Sequence, residues 1–251
     1  MMTPHGSRAV KKRAVGMRPR ALVTGGAVRV GRAIALALAR AGMDVAIGYH
    51  GSVSQARRTV EDLQASGTRG VAFGADLTHP AAARRLVYDA SRALGGLDLL
   101  VNGAAVFDRT PLATITPAQY DRLLNLNLRG VFFCCQAAAA VMRHGGHIVN
   151  IGDAGIDRGW PNYIPYTIAK AGVVALTRGL AAALRARGIA VNCVAPGTVL
   201  RPVGFPLARW KALTRGNEGS PEDVAAAVHF FATCPLYITG QILRVDGAAE
   251  R

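Results

Sequence analysis

Tyr166 and Lys170 stand four residues apart, and Asp153 precedes the tyrosine by thirteen. On a helix, residues four apart share one face, a turn from each other. A phenol beside an ammonium is a usable proton donor near neutral pH. The cation favours phenolate and lowers the phenol from its ordinary value of about 10. Asp153 follows an apolar, strand-like run from His147 to Ile151. A carboxylate can therefore approach the phenol where a strand ends and a helix begins. A Tyr/Lys pair at this spacing also occurs by chance, so the elements that position it carry the argument.

The first is Arg20-Ala-Leu-Val-Thr24, an apolar strand running into Gly25-Gly-Ala-Val-Arg-Val-Gly31 and then an Ala/Leu/Ile-rich helix over 32–41. Strand, glycine-rich turn and helix N-terminus together form a cradle for a pyrophosphate. Gly25 allows the tight turn and Gly31 a close approach at the helix start. A second strand, 44–50, ends in Tyr49 and His50, followed by Gly51 and Ser52. In NAD-binding folds an acid here holds the ribose 2′-hydroxyl. This chain has none, and Arg29 can pair with phosphate, which favours NADPH over NADH. A third strand ends at Asp76-Leu77, where the acid can accept from an adenine amino group or cap the next helix. Strands at 97–101, 147–151, 189–194 and 241–245 follow. Between them lie helices at 54–66, from about Pro80, at 117–142 (with Asn127), at 163–187 and from Ser220. Residues 198–219 lack a clear pattern and read as a mobile lid.

This alternation predicts a single α/β domain over 19–251: a Rossmann-type, doubly wound sheet of about seven parallel strands with helices on both faces. Ligands in such sheets sit at the carboxyl ends of the strands, where Arg29, Asn102, Phe107, Asp153 and Pro196 fall.

Composition narrows the class. Hydrophobic residues make up 51% of the 251, yet no uninterrupted apolar run reaches the roughly 18 residues of a membrane span. Cys134, Cys135, Cys193 and Cys234 lie in apolar segments without Cys-x-x-Cys spacing, and read as buried free thiols of a cytoplasmic protein. No metal site is expected. The formal charge is +15, and residues 1–20 hold six positives and no acid. Residues 1–18 read as a disordered basic tail. That tail also has the composition of a transit or localisation segment, with Met17 a second candidate start. Nucleic-acid binding needs a focused basic stripe or a known motif, and neither is present.

Taken in order, T-G-G-A-V-R-V-G, Asp76-Leu77, N-G-A-A from Asn102, L-N-L-R-G around Asn127, Y-T-I-A-K, Pro196-Gly197 and V-D-G resemble the short-chain dehydrogenase/reductase family over about residues 18–248. The resemblance implies Tyr166 as general acid/base. Lys170 would hold the nicotinamide ribose and depress the tyrosine pKa, and Asn127 would hold a water of a proton relay. Gly25, Arg29, Val30 and Gly31 would line the phosphates. Tyr49, His50, Ser52, Asp76, Leu77, Asn102, Gly103, Ala104, Pro196 and Gly197 would complete the cofactor site. The family also suggests a homotetramer built on helices 117–142 and 163–187.

Two departures bear on the substrate. Gly103 stands where the family usually has asparagine, and Asp153 where it usually has serine. A serine hydroxyl donates to a carbonyl oxygen, whereas a carboxylate only accepts. Asp153 therefore suits a substrate with N–H donors or a basic nitrogen. The pteridine reductase branch is similar at these points: the arginine at 29, Tyr49-His50, Asp153, Tyr163, and Phe107 followed by Thr110-Pro-Leu. In that branch the phenylalanine stacks on the pterin, which implies a substrate site of Arg29, Phe107, Asp153, Tyr163 and Tyr166. Gly51 replaces an arginine that would contact the 2′-phosphate. The expected activity is NADPH-dependent reduction of a pterin-like small molecule. Two alternatives stand beside it: a reductase of small ketones or 3-oxoacyl thioesters, and a nucleotide-binding regulator without catalysis.

Overall fold

A computed structural model describes residues 17–142, 145–202, 204–214, 216 and 218–248. Seven strands form one parallel sheet: β1 Arg20–Thr24, β2 Asp44–Tyr49, β3 Gly70–Gly74, β4 Leu99–Asn102, β5 Gly146–Ile151, β6 Ile189–Pro196 and β7 Ile242–Val245, in spatial order 3-2-1-4-5-6-7. The strands are apolar on both faces because helices cover both. Side chains alternate along β1: Leu22 packs with α3 (Pro80–Leu94), α5 (Val131–Val141) and α6 (Ile164–Leu184). Ala21 and Val23 pack with α1 (Arg29–Arg40), α2 (Val53–Ala65) and α8 (Pro221–Thr233) on the other side. The remaining α-helices among the described residues are α4 (Pro117–Leu124) and α7 (Leu207–Thr214).

The strand order reverses between β1 and β4, which opens a crevice at their carboxyl ends. In register there are Thr24, Gly48, Asn102 and Asn150, with Ile151 beside Val194 on the next strand. Thr24 ties the crevice floor together, its hydroxyl accepting the N–H groups of Gly103 at 3.0 Å and Ala104 at 3.1 Å.

Three expectations need correction. The helix over 117–142 is interrupted by a π-turn, Asn125–Gly130, between α4 and α5. Such a turn slips the helical register by one residue, and here it carries Asn127, which is fully buried. Residues 198–219 are not wholly irregular: α7 lies within them, Trp210 is buried, and Gly219 N–H closes the segment onto the Thr198 carbonyl at 3.1 Å. The basic tail lies outside the described residues up to 16, but Arg18 does not belong to it. Its guanidinium donates to the Gly67 carbonyl and pairs with Asp44 at 3.9 Å.

The spans 117–141 and 164–187 are apolar and long enough to cross a membrane by composition. In this fold part of their apolar surface packs against the sheet and α3, while Phe132, Ile164 and Ile168 stay exposed. All four cysteines are free and buried, and burial pushes the Cys134 thiol up to about 12.

His147, on β5, is buried enough that its pKa is lowered, and its Nδ1 has no partner among the described residues. The folded state favours the neutral ring, while the unfolded chain protonates near 6.5. This contribution is complete above about 6.5 and is lost as pH falls below it toward the lowered native value. Chemical denaturation from about pH 7.5 to about pH 5 should therefore show a steeper loss of stability in the wild type than in His147→Leu. Equal slopes would refute it.

Candidate functional site

The glycine turn is shaped by what its glycines approach. Gly25 has φ 69°, and a Cβ on it would meet Ala104 Cα at 2.9 Å. A Cβ on Gly31 would lie 2.1 Å from the Gly25 carbonyl oxygen. Arg29 opens α1 with φ 53°, a left-handed conformation uncommon for a residue with a Cβ. The α1 N-terminus has Val28 at its cap, no side-chain cap and no acid in its first turn. Its first N–H groups and the positive end of its dipole are thus left to an anion. This arrangement fits a dinucleotide pyrophosphate.

A cavity of about 590 Å³ extends from this turn in both directions. One arm reaches Tyr49, His50, Ser52, Asp76 and Leu77; the other passes Gly103 and Ala104 to Asp153, Tyr166, Lys170, Pro196 and Gly197. Asp76 is partly committed: its Oδ1 accepts from the Thr78 N–H at 2.9 Å and hydroxyl at 2.7 Å, and these bonds hold its pKa down. A second cavity, about 650 Å³, is walled by aromatic rings: Phe107, Trp160, Tyr163, Phe205 and Trp210. Arg29, Asp153 and Tyr166 line both cavities, so the expected proton donor and its carboxylate lie at their junction.

There Tyr166 O–H donates to Asp153 Oδ2 at 2.7 Å. Asp153 Oδ1 accepts the Gly155 N–H at 2.7 Å. The acid at 153 thus faces the phenol and not solvent. Lys170 is buried, and its ammonium donates to the Ile151 carbonyl at 2.7 Å, lying 5.8 Å from the centre of the Tyr166 ring. The expected depression of the tyrosine pKa does not appear in this state. Burial, then the charge and hydrogen bond of Asp153, push Tyr166 well above its usual value. The ammonium is turned to the Ile151 carbonyl, and burial with Asp153 prevails. Burial also lowers Lys170, with Asp153 and Cys193 opposing.

Three residues do other work than expected. Asn102 does not line the cavity. Its amide points into the interior, donating to Asn150 Oδ1 at 2.9 Å, and Asn150 continues to Thr177 at 3.0 Å. Asn127 spends both ends of its amide on Val106, accepting its N–H and donating to its carbonyl, each at 3.0 Å. It fixes the loop between the cofactor cradle and Phe107. Phe107 stacks on Tyr163, centroids 4.3 Å apart and planes at 3°, and meets Tyr166 edge-on at 4.8 Å. Trp160, which the sequence reading missed, joins this cluster edge-on to Phe107 at 5.8 Å; its place three residues before Tyr163 is the signal that could have found it. Arg29 reaches across to the 198–219 segment, donating to the Arg201 carbonyl at 3.0 Å.

A family model described as enoyl-(acyl carrier protein) reductase matches residues 26–248. The 3-oxoacyl-(acyl-carrier-protein) reductase of Synechocystis sp. is 35% identical over 236 residues, covering 90% of this chain and 95% of that protein. The chain belongs to the short-chain dehydrogenase/reductase family. A second relative in the family, the 3-oxoacyl-(acyl-carrier-protein) reductase of Staphylococcus aureus, is also 35% identical, covering 92% of this chain and 98% of its own. Among solved structures, a short-chain dehydrogenase of Burkholderia cenocepacia in complex with NADP shares 38% identity at a TM-score of 0.87, covering 92% and 98% of the two chains. A blue fluorescent protein from a metagenomic library, in complex with NADPH, shares 38% at 0.85, covering 91% and 96%. The two curated relatives correspond to the thioester reading of the sequence and do not single out the pteridine reductase branch.

Proposed function

We propose that this chain is an NADPH-dependent reductase of a pterin-like C=N bond, of the dihydropteridine or dihydrofolate class. The observation that carries the substrate reading is the 2.7 Å bond from the Tyr166 hydroxyl to Asp153. NADPH, when bound, supplies the hydride. The chain supplies the proton and decides when it is free to move. A carboxylate held against the phenol opposes its ionisation. A substrate with amino or ring N–H donors engages Asp153 and releases Tyr166, which then protonates the ring nitrogen as the adjacent carbon is reduced. A plain ketone offers Asp153 no donor. Phe107 and Tyr163 cover each other's inner faces at 4.3 Å, so a planar ring stacks on an outer face of the pair or after the two separate.

The cofactor choice is supported by the absence of a carboxylate after β2, by His50 and Ser52 at the cavity rim, and by the NADPH- and NADP-bound neighbours. Gly51 has φ 74° and open space around it, so no side chain from that position reaches a 2′-phosphate. The enzyme acts in the cytoplasm on a small molecule. It assembles as a homotetramer through the faces of α4, α5 and α6 that expose Tyr120, Phe132 and Ile168.

A second reading, reduction of 3-oxoacyl thioesters, is favoured by the two curated relatives. NADPH oxidation with dihydrobiopterin, dihydrofolate and an acetoacetyl thioester separates the two, and turnover of the thioester alone would overturn the pterin reading.

The cradle has its own test. In Gly31→Ala the new methyl meets a backbone oxygen that cannot give way, so the Kd for NADPH should rise by about tenfold or more. Gly179→Ala, with nothing within 4 Å, is the control and should leave Kd unchanged. An unaltered Kd in Gly31→Ala would place the cofactor elsewhere.

A further inference from the structure

Arg244 has no part in the chemistry above, yet it reaches the loop that carries Asp153. It lies on β7, beside Ala195 of β6. Its Nη2 donates to the Ala154 carbonyl at 2.8 Å and its Nε to Asp246 Oδ2 at 2.9 Å; Nη1 pairs with Asp157 at 3.6 Å. The guanidinium is thus spread over two acids and one peptide oxygen, a rigid planar fork that lysine cannot reproduce. The peptide it grips is the one joining Ala154 to Gly155. The Ala154 N–H is held as well, by the Pro196 carbonyl at 2.9 Å. With both sides of Ala154 fixed, the Gly155 N–H points back at Asp153 Oδ1, and Oδ2 is left for the Tyr166 hydroxyl.

We propose that Arg244 is a positioning residue of the reductase, which sets Asp153 against Tyr166 by holding the Ala154 carbonyl. The inference rests on the reading of Tyr166 as proton donor and Asp153 as its partner, and it adds what keeps the two in register. Asp246 anchors the clamp: its side chain is only 11% exposed, and it packs where a Cβ on Gly197 would meet it at 2.7 Å. Asp157 is 76% exposed and contributes little, because solvent screens its charge. Asp153 acts on the Tyr166 proton and Lys170 lies 5.8 Å from its ring, with Cys193 near the lysine; Arg29, Asp108, Arg158 and Tyr163 line the same cavity as Tyr166. Those near Arg244 are Asp246 and Asp157.

The test is a tyrosinate titration by ultraviolet difference against Tyr166→Phe, which isolates one phenol and needs no substrate. In Arg244→Met, Asp153 is no longer held, and the Tyr166 midpoint should move down toward the ordinary phenol range. With substrate and NADPH, kcat should fall about tenfold with KM changed less, as expected when a proton donor is misplaced and not removed. Arg244→Lys keeps one bond and should fall between. In an Asp153→Ala background, Arg244→Met should add no further shift, since the route through Asp153 is already cut. Asp157→Asn should behave as wild type. An unmoved Tyr166 midpoint in Arg244→Met, or an equal shift in the Asp153→Ala background, overturns the proposal. If Arg244→Met does not fold, Arg244→Lys and Asp246→Asn carry the same comparison. Should Tyr166→Phe keep full activity, the reading of the proton donor fails instead, whatever Arg244 does.

Discussion

Tyr166→Phe is expected to lower kcat by roughly 10²- to 10⁴-fold, the range over which a positioned general acid accelerates proton transfer. The fold should survive. The ring stays buried against Phe107, and Lys170 keeps its bond to the Ile151 carbonyl, since it makes none to the phenol oxygen. The Kd for NADPH should change little, so the loss falls on kcat. The pH dependence has a definite sign. A general acid must carry its proton, and burial with Asp153 holds the Tyr166 proton well above the ordinary phenol range. The rate limb that depends on this proton should therefore be flat through neutral pH and fall only under alkaline conditions. Steady-state kinetics on the two proteins check both points. Activity in Tyr166→Phe within a few-fold of wild type would remove the phenol from the mechanism.

The second large effect concerns Asp153. Asp153→Ser exchanges an acceptor for a hydroxyl that can also donate, and withdraws the charge that holds the phenol. Reduction of a dihydropterin should fall, because a substrate N–H loses its ionic partner; a hydrogen bond to a charged group is worth about 1.5–3 kcal/mol, or roughly 10- to 100-fold. Reduction of a ketone should rise, because a donor and a released phenol now face its oxygen. Asp153→Asn separates charge from shape. Its amide oxygen can still accept the Gly155 N–H, so the loop persists while the pull on Tyr166 weakens. The check is the ratio of kcat/KM for the two substrates in each variant.

The parts of the site that depend on spacing along one element could be read from the chain. Tyr166 and Lys170 share a helix, and Gly25, Arg29 and Gly31 share a turn, so their geometry is local. Strands alternating with helices implied the parallel sheet, because parallel neighbours need a crossover helix between them. What escaped was non-local. Asn102 ends a strand at the crevice, but a single residue's parity sends its amide inward to Asn150. The π-turn at Asn125–Gly130 leaves no mark in a helical pattern, yet it turns Asn127 onto Val106. The phenol's pKa follows from how deeply α6 buries it, not from the presence of a lysine one turn away. Arg244 lies 74 residues after Lys170 in the chain, and only the β6–β7 register brings it near the Asp153 loop.

The most direct measurement places the unmodified enzyme and Asp153→Ser side by side, each oxidising NADPH with dihydrobiopterin and with an acetoacetyl thioester. If an aspartate gating a phenol selects nitrogen heterocycles, the unmodified enzyme favours the pterin and the serine variant loses or reverses that preference. An unmodified enzyme that reduces only the thioester, with a preference indifferent to residue 153, would contradict it.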